Sequence, residues 1–495
     1  MNKIKSLFLL FFCSVAATGG LVGCGGGGGG GSGQSSVVRT DSRPNVIFVY
    51  TDDHGYADIG AQGVVNDIKT PNIDQLAATG VRMTDGYVTA PQCTPSRSAL
   101  MSGRYQQKFG LDDNNYTPYP LSQPMLAEKL GASGYKTGMV GKWHLEIDQN
   151  SADWYKNTYA GSGAFNLANI PESEKVKYYP ENRGFQESFF GYRNTYRANF
   201  DTSGNTFSYR NVSDSRFRVD VVSDAAVSFI NRHKQDPFFL YVAYYAPHVP
   251  LEATEEYLSR FPGSMPERRR YALAMLAAVD DGVGRIMQTL QNYGIDDDTI
   301  IFFMSDNGAP LALTKPDTQP VSATDGAWDG SVNDPWVGEK GMLTEGAIRV
   351  PYVVNWKGHL PQGLVYRNPV ITLDATKTAA VLAGVDSSDL DGINLIPYLQ
   401  NTALVPERAL YWRFWQQAAI RKGKWKYLRK ADEGDYLFDL SSDVDEKQNL
   451  ITAHPNVAAA LQQDLTTWST TLKRPGIPSG SMSQQEQTWY NYYFQ

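Results

Sequence analysis

The sequence predicts an α/β protein in which a large mixed or parallel sheet is flanked by helices and followed by a smaller C-terminal α+β part. Three runs of β-branched and aromatic residues, at 45–51, 237–245 and 299–304, are continuously apolar, as in strands buried on both faces. Apolar side chains recur at helical spacing over 267–292, and Gly294 ends that pattern. Four short runs after residue 409, separated by turn residues, indicate a small antiparallel sheet.

Size and charge limit the classes of function. With 495 residues the chain is long enough for two domains and a large core. The formal net charge is −7, and basic residues form no block or tail, so the sequence gives no support for nucleic-acid binding.

The first 23 residues have the pattern of a signal peptide. Lys3 and Lys5 precede an apolar run at 6–17 that is too short to span a membrane. The run leads to Leu-Val-Gly-Cys, ending in Cys24, which resembles the lipobox of bacterial lipoproteins and implies lipidation of that cysteine. We therefore predict an exported lipoprotein of the periplasm, outer membrane or cell surface, tethered by glycine-rich residues 24–42 and touching the membrane only through its lipid. The alternative is cleavage by an ordinary signal peptidase and free secretion.

Two adjacent carboxylates follow the first predicted strand. Asp52 and Asp53 come directly after residues 45–51 and would sit where open α/β sheets bind ligands. A divalent cation with oxygen ligands would offset their repulsion, and an ordinary surface turn is the alternative. His54, which comes next, is interpreted as a wall or packing residue.

One cysteine lies in the predicted folded part of the chain. Cys93 begins the segment Cys-Thr-Pro-Ser-Arg, and helix-forming residues follow Arg97. Proline is tolerated in the first turn of a helix, so both residues should flank a helix N-terminus, where the helix dipole favours an anion. Without a disulfide partner in the folded part, Cys93 is a candidate reactive residue. The alternative is a small buried residue leading into a structural helix.

Two segments after predicted strands carry candidate proton-transfer or anion-binding residues. Lys142 and His144 follow a short strand at 136–140 and can point to the same side of an extended segment. A solvated lysine beside a core histidine is the alternative. His248 follows the strand at 237–245 and lies between two prolines that hold its backbone extended, which favours a catalytic role over packing.

A further pair of hard oxygen ligands ends the strand at 299–304. Asp306 and Asn307 follow that strand, and Lys340 lies beyond a tryptophan-bearing loop. Residues 146–205 are polar and weakly periodic, and we interpret them as long loops in which Arg193 and Arg197 could meet a polyanion. Further helices are predicted at 70–80, 217–233, 373–382 and 455–472, and further strands at 81–88 and 350–356. The aromatic residues 489–495 are predicted to cover a groove.

Taken in order, these motifs resemble the formylglycine-dependent sulfatases of the alkaline phosphatase superfamily. The motifs are Asp-Asp at 52–53, C-T-P-S-R at 93–97, G-K-W-H at 141–144, A-P-H-x-P at 246–250, D-N-G at 306–308 and Lys-Gly at 340–341. The resemblance covers about residues 45–351 and extends weakly to 437–450. It implies an alkaline-phosphatase-like catalytic domain at 43–400 and a C-terminal antiparallel-sheet subdomain at 401–495.

The resemblance also implies a nucleophile and a metal. A separate maturation enzyme would oxidise Cys93 before folding to formylglycine, also called 3-oxoalanine, whose gem-diol hydroxyl attacks sulfur. The sulfated gem-diol can then expel sulfate by reforming the aldehyde, which divides one hard step into two easier ones. Ca²⁺ would contact the nucleophile and be held by Asp52, Asp53, Asp306 and Asn307.

The same resemblance implies a role for each basic residue of the site. Arg97 would hold the formylglycine hydroxyl, while Lys142 and Lys340 would bind sulfate oxygens. His248 would protonate the leaving oxygen, and His144 resembles the base that breaks the hemiacetal intermediate. Asp306 resembles the group that accepts the proton of the nucleophile. The positive charges of the three basic residues and the metal ion exceed the negative charges of the three aspartates at the site. We therefore expect a local anion-binding site in a protein whose net charge is negative.

Two other functions compete with this interpretation. A phosphonate or phosphodiester hydrolase of the same superfamily can also use C-x-P-x-R, although such enzymes resemble sites with a histidine where this chain has Asn307. A catalytically dead surface glycan-binding lipoprotein is the second alternative. The substrate expected of the sulfatase is a sulfated polysaccharide or oligosaccharide, because residues 90–113 look similar to sulfatases that act on marine algal galactans such as carrageenan.

Overall fold

The structure is a computed structural model that describes residues 41–159, 161–322 and 327–494. The predicted signal peptide at 1–23, the lipidation site Cys24 and the tether up to residue 40 lie outside these residues. Within the described ranges, no helix combines the length and the apolar character needed to cross a membrane. The described residues all belong to one compact unit by their own contacts.

The strands of the described residues are numbered in chain order. They are β1 (Asn45–Asp52), β2 (Val81–Met83), β3 (Gly86–Tyr87), β4 (Lys136–Gly141), β5 (Glu187–Tyr192), β6 (Thr195–Phe200), β7 (Thr206–Ser213), β8 (Phe238–Pro247), β9 (Thr299–Ser305), β10 (Tyr352–Asn355), β11 (Leu364–Tyr366), β12 (Val370–Ile371), β13 (Ala409–Phe414), β14 (Gln417–Lys422), β15 (Trp425–Lys430) and β16 (Asp435–Asp439).

The helices are numbered in the same way. They are α1 (Pro71–Ala78), α2 (Cys93–Ser102), α3 (Leu126–Ala132), α4 (Ala152–Asn157), α5 (Glu172–Lys175), α6 (Arg218–His233), α7 (Glu255–Leu258), α8 (Glu267–Tyr293), α9 (Glu345–Ile348), α10 (Thr372–Leu382), α11 (Ile396–Leu399), α12 (Pro455–Ser469) and α13 (Gln484–Tyr493). Short 3₁₀ helices lie at Gly60–Gln62, Gln106–Phe109, Asn114–Tyr116, Leu167–Asn169, Val176–Tyr178 and Pro180–Asn182.

A ten-stranded mixed sheet forms the centre of the fold, in the order β11-β2-β10-β9-β1-β8-β4-β5-β6-β7. Strands β9, β1, β8, β4 and β5 are mutually parallel, whereas β10, β6 and β7 pair with their neighbours in the antiparallel direction. The three continuously apolar runs are therefore adjacent central strands, as expected of strands buried on both faces. The predicted class, a large mixed sheet flanked by helices, is confirmed.

Alternate side chains of β1 enter two separate cores. Ile47 and Val49 pack with helices α1, α6 and α8 on one face, and Phe48 and Tyr50 pack with α2, α3 and α10 on the other. This alternation follows from the period of two along a strand. The sheet is thus covered by helices on both sides, and only its edges and strand ends remain for a site.

The prediction of long loops over 146–205 is wrong for the last part of that range. Within that range, Glu187–Tyr192 and Thr195–Phe200 form β5 and β6, which extend the sheet beyond β4 and lead to the outer strand β7. Every residue of the outer strand β7 is exposed or partly exposed, so this strand carries no continuous apolar run that would mark it in the sequence. Pairing with β4, rather than local pattern, makes this segment a sheet edge.

The C-terminal residues form the predicted small antiparallel sheet, in the order β13-β14-β15-β16, with α12 packed against it. This sheet is joined to the rest of the fold by a buried charge cluster. The ammonium group of Lys426 lies 2.9 Å from Glu345 of α9 and 2.8 Å from Glu446, and all three side chains are inaccessible to solvent. A charge buried so completely requires these partners.

Candidate active site

The carboxyl ends of three central strands bring separate motifs to one edge of the sheet. In the parallel register, Asp52 at the end of β1 lies beside Pro247 of β8, and Thr51 lies beside Ser305 of β9. Asp52, Asp53, Asp306 and Asn307 are buried there, and His248 follows β8 at the same edge. The predicted convergence of these motifs is confirmed, as expected for ligand sites of open α/β sheets.

Cys93 is the first residue of α2 and faces the carboxylates at this edge. Its Sγ lies 3.5 Å from Asp52 Oδ1, 4.0 Å from Asp53 Oδ1 and 3.3 Å from Lys340 Nζ. The side chain is buried, and burial together with the charge of Asp306 raises the pKa of the Cys93 thiol far above its ordinary value. An unmodified cysteine at this position would be a neutral thiol and a weak nucleophile.

Each of the paired aspartates has its own lysine. Lys142 Nζ lies 2.6 Å from Asp52 Oδ2, and Lys340 Nζ lies 2.7 Å from Asp53 Oδ1. Burial would raise the pKa of Asp52, but the nearby positive charges, Lys142 first, outweigh burial and hold that pKa well below its usual range. The pKa of Asp53 is lowered by the same balance, with Lys340 as the main positive charge. Both carboxylates are therefore ionised at neutral pH.

Arg97 connects α2 to the end of β9. Its guanidinium lies 2.7 Å from Asp306 Oδ2 and 3.5 Å from Asp52 Oδ1, and none of these side chains is accessible to solvent. The hydroxyl of Tyr241 and the carbonyl oxygen of Lys142 accept further hydrogen bonds from it, at 3.2 and 3.4 Å. Burial and the charge of Asp52 raise the pKa of Asp306, and Arg97 opposes this shift.

His248 lies at the opening of the site. Its Nδ1 is 2.5 Å from the carbonyl oxygen of Val249, which can only accept a hydrogen bond, so Nδ1 carries the hydrogen. Nε2 then faces the site, 3.6 Å from Asp53 Oδ2, and about 30% of the side chain is exposed. Burial lowers the pKa of His248, although the charges of Asp52 and Asp53 oppose the shift.

His144 occupies a left-handed backbone conformation, with φ of +59°, shortly after the end of β4. Burial first, and then the positive charges of Lys142 and Arg97, hold the pKa of His144 well below its ordinary value. Its Nδ1 is buried and has no hydrogen-bond partner among the described residues, while Nε2 lies 3.7 Å from Asp148 Oδ2. His144 is therefore held as a neutral imidazole.

The donor atoms of the site fit a hard cation. Ligand atoms of Asp52, Asp53, Cys93 and His248 lie within 4.8 Å of one another. Asn307 donates from Nδ2 to Asp53 Oδ1 at 2.6 Å, whereas its buried Oδ1 receives no hydrogen bond within the described part of the chain. Carboxylate and amide oxygens are the ligands that Ca²⁺ prefers, and the unpartnered Oδ1 is a free ligand atom of that kind. The residues present fit the predicted metal.

Asp329 belongs to the same cluster and was missed by the sequence analysis. It is fully buried, and its carboxyl interacts with the side chain of Asp53 and with the backbone of Ser331. Burial and the charge of Asp53 raise the pKa of Asp329 well above its usual range. No sequence signal indicated it, because it lies inside an irregular loop rather than at the end of a recognisable strand.

The two arginines that were predicted to bind substrate lie away from these contacts. Arg197 is paired with Glu181 at 2.6 Å and with Glu172 at 3.8 Å. Arg193 is exposed in the turn between β5 and β6, with its guanidinium 5.6 Å from the ring centre of Tyr192. Within the described part of the chain these arginines contact acidic and aromatic side chains outside the Cys93 cluster, so a role in substrate binding stays a prediction.

His54 is a packing residue, as interpreted from the sequence. The ring is fully buried, with Nε2 2.7 Å from the carbonyl oxygen of Asp58 and the ring edge against Phe303.

A cavity of about 550 Å³ opens onto the site. We call the part lined by Asp53, His248 and Lys340, which belong to the Cys93 cluster, the inner end of the cavity. The part lined by Trp415 and Trp489, from the C-terminal part of the chain, is called its outer wall. The predicted cover by the C-terminal aromatic residues thus agrees with the position of Trp489. A cavity of this size accepts a ligand larger than a sulfate group.

Residues 44–385 match the family model described as Sulfatase. The chain is 30% identical over 407 residues to N-acetylgalactosamine-6-sulfatase of Mus musculus, covering 77% of this chain and 71% of that protein. It is 29% identical over 480 residues to arylsulfatase A of Homo sapiens, covering 85% and 86%. The crystal structure of Ps i-CgsB in complex with k-i-k-neocarrahexaose superposes with a TM-score of 0.71 at 29% identity, covering 91% of this chain and 97% of that chain.

The family match covers more than half of the chain and includes every motif from Asp52 to Lys340. The chain belongs to the sulfatase family, within the alkaline phosphatase superfamily, and is a sulfuric ester hydrolase.

Proposed function

We propose that this sulfatase hydrolyses sulfate esters on a sulfated polysaccharide or oligosaccharide of the algal galactan type, such as carrageenan. The observation that carries the proposal is the position of Cys93, buried between the two aspartates and Lys340 directly behind a cavity that can accept a sugar. The likeness to Ps i-CgsB, which was solved with a neocarrahexaose, supports the carrageenan-type substrate.

Conversion of Cys93 to formylglycine is part of the proposal. The raised pKa of the Cys93 thiol argues against a thiolate nucleophile. Once hydrated, the aldehyde supplies a hydroxyl that can attack sulfur and a carbonyl that can be reformed when sulfate leaves. Cys93 is only 1% exposed, so a maturation enzyme would have to act before the chain folds.

We assign a separate role to each basic residue from its position in the site. Lys142 and Lys340 lie on either side of the paired aspartates and can turn their ammonium groups toward sulfate oxygens. In its protonated form His248 carries a second hydrogen on Nε2 and can donate it to the leaving oxygen, because that atom faces the cavity. His144, held neutral, can accept a proton from the modified Cys93 side chain. Arg97 positions the cluster by holding Asp306.

A calcium ion held by Asp52, Asp53, Asp306 and Asn307 completes the proposal. The unpartnered Oδ1 of Asn307 and the ionised paired aspartates support this ligand set. When bound, the ion would supply positive charge against the sulfate group.

The site of action is proposed from the N-terminal sequence, which lies outside the described residues. The Leu-Val-Gly-Cys segment and the following glycines support an exported protein anchored through Cys24.

An assay of ester specificity tests the proposed function. Matured protein should release sulfate from defined carrageenan oligosaccharides and release no phosphate from matching phosphate or phosphonate esters. Faster release of phosphate would favour the phosphonate or phosphodiester hydrolase alternative. A protein that binds the oligosaccharides and releases neither anion would be a non-catalytic glycan-binding protein.

A further inference from the structure

The outer wall of the active-site cavity is aromatic and is built by the C-terminal part of the chain. Trp415 lies in the turn between β13 and β14, and Trp489 lies on α13. Their rings are 6.0 Å apart and nearly parallel, with 17° between the planes. The wall faces a cavity whose inner end is formed by Asp53, His248 and Lys340, so both ends belong to one space.

The position of Trp415 is tightly held. Its backbone is left-handed, with φ of +47°, a conformation that bulky residues rarely adopt. The indole N–H donates to the carboxylate of Asp113, and the ring stacks on Phe414 with 4.7 Å between ring centres. The two-residue turn that joins β13 and β14 requires this positive φ, and the contacts with Asp113 and Phe414 then fix the ring.

Trp489 is held against the residue that follows Lys340. Gly341 has φ of +99°, and a Cβ atom built on it would lie 2.3 Å from the Trp489 ring. Only glycine permits both this backbone conformation and this close approach. The aromatic wall is therefore packed directly onto the segment that carries Lys340.

The inner end of the cavity carries basic side chains, whereas the outer wall carries none among the described residues that line it. Among the described residues that line it, the basic side chains are His248 and Lys340, both at the inner end. The carboxylate of Glu339 is engaged by backbone N–H groups of residues 311–313 and by the Tyr493 hydroxyl. The outer wall offers aromatic rings and the neutral polar side chains of Gln485 and Thr488.

We infer that the partly exposed ring of Trp415, backed by the largely buried ring of Trp489, forms a binding subsite for the sugar ring adjacent to the sulfated one, an inference that rests on the proposed function. A pyranose ring presents an apolar C–H face that packs on aromatic side chains and hydroxyls that pair with neutral polar groups. Because the outer wall carries no cation, this adjacent ring binds through a face that bears no sulfate. The inner end then receives the sulfate ester to be cleaved.

Steady-state kinetics of the full, matured protein on two substrates tests the subsite. 4-Nitrophenyl sulfate reaches only the inner end, whereas a sulfated neocarrahexaose also reaches the outer wall. The ratio of kcat/KM on the hexasaccharide to kcat/KM on the aryl ester should fall roughly tenfold in Trp415→Ala, mainly through KM, since an aromatic contact of this kind is worth about one power of ten.

Two further variants separate binding from folding. Thr488→Trp adds a ring to the cavity from an exposed helix position and should lower the same ratio without lowering the melting temperature. Tyr492→Ala, which removes a half-exposed ring from α13 outside the cavity, should leave the ratio unchanged.

Unchanged ratios in Trp415→Ala and Thr488→Trp, with a wild type that cleaves both substrates, would overturn the subsite and leave the proposed function standing. A wild type that cleaves the aryl ester and no sulfated oligosaccharide would overturn the carbohydrate substrate and the subsite together.

Discussion

The Nε and Nη2 atoms of Arg97 both donate to the same oxygen of Asp306, at 3.0 and 2.7 Å. The other oxygen of Asp306 accepts from the backbone N–H of Asp53 at 3.1 Å. One carboxylate therefore connects α2, the end of β1 and the end of β9. The relative positions of Cys93 and the paired aspartates depend on this connection.

Loss of Arg97 should destabilise the fold as well as the activity. Arg97→Ala leaves Asp306 buried without its main cation, and breaking a buried pair in this way costs roughly 3–5 kcal/mol. Urea unfolding followed by circular dichroism measures the loss. Arg216→Ala is a matched control, because Arg216 lies at the same 2.7 Å from Asp214 but is half exposed. Its cost should be within about 1 kcal/mol, and equal losses in the two variants would contradict the argument.

Cys93 should be found as formylglycine in active protein. Peptide mass spectrometry should show the mass decrease expected when the CH₂–SH group becomes an aldehyde, and Cys93→Ala should have no measurable activity. The physical reason is the raised pKa of the Cys93 thiol, which leaves the unmodified residue neutral. Full activity in protein whose Cys93 peptide is entirely unmodified would disprove this prediction.

Asn307→Ala should weaken calcium binding. The substitution removes the unpartnered buried Oδ1 and its contact with Asp53, and even changes at residues that only support a metal ligand cost roughly 10–100-fold in affinity. Isothermal titration with Ca²⁺ and elemental analysis after dialysis measure the effect independently of activity. Asn292→Ala, an exposed amide on α8, is the control. Unchanged affinity in Asn307→Ala, or tightly bound zinc in the native protein, would contradict the predicted site.

His248→Ala should affect a sugar sulfate far more than an aryl sulfate. General acid catalysis contributes about 10²–10⁴-fold when the leaving alcohol is poor, and a nitrophenolate needs little of it. Lys142→Ala, by comparison, should damage both reactions through lost sulfate binding. If His248→Ala lost similar activity on the two substrates, the general-acid role would be wrong and His248 would be a binding residue.

His248 should also determine how kcat/KM for a sugar sulfate decreases at higher pH. Burial lowers the pKa of His248 from 6.5, and the proton that it donates is lost as the pH rises through that lowered pKa. The kcat/KM for a sugar sulfate should therefore fall with increasing pH in this range, and the limb should be absent from His248→Ala. A limb that persists in the variant would assign the titration to another group.

Cys24→Ala should release the protein from the membrane fraction. This prediction is based on the lipobox-like segment that precedes the glycine tether. The variant should appear in the soluble exported fraction. Cell fractionation followed by immunoblotting is the measurement. An unchanged distribution would rule out a lipid anchor at this cysteine.

The sequence determined the central strands and the positions of the catalytic motifs. Continuous apolar runs mark strands that are buried on both faces, and the parallel arrangement then places Asp52, His248 and Asp306 at one edge. These properties depend on local pattern and on a general rule of parallel sheets. They could therefore be predicted without knowing which residues contact one another.

The tertiary structure decided the sheet edge, the pairing of charges and the outer wall of the cavity. The outer strand β7 has no strong local pattern, and it becomes a strand because β6 supplies its hydrogen-bond partners. Asp329 joins Asp53, and Trp489 joins Trp415, although more than 70 residues separate each pair along the chain. Such contacts depend on how distant elements pack, which no periodicity or motif in the sequence encodes.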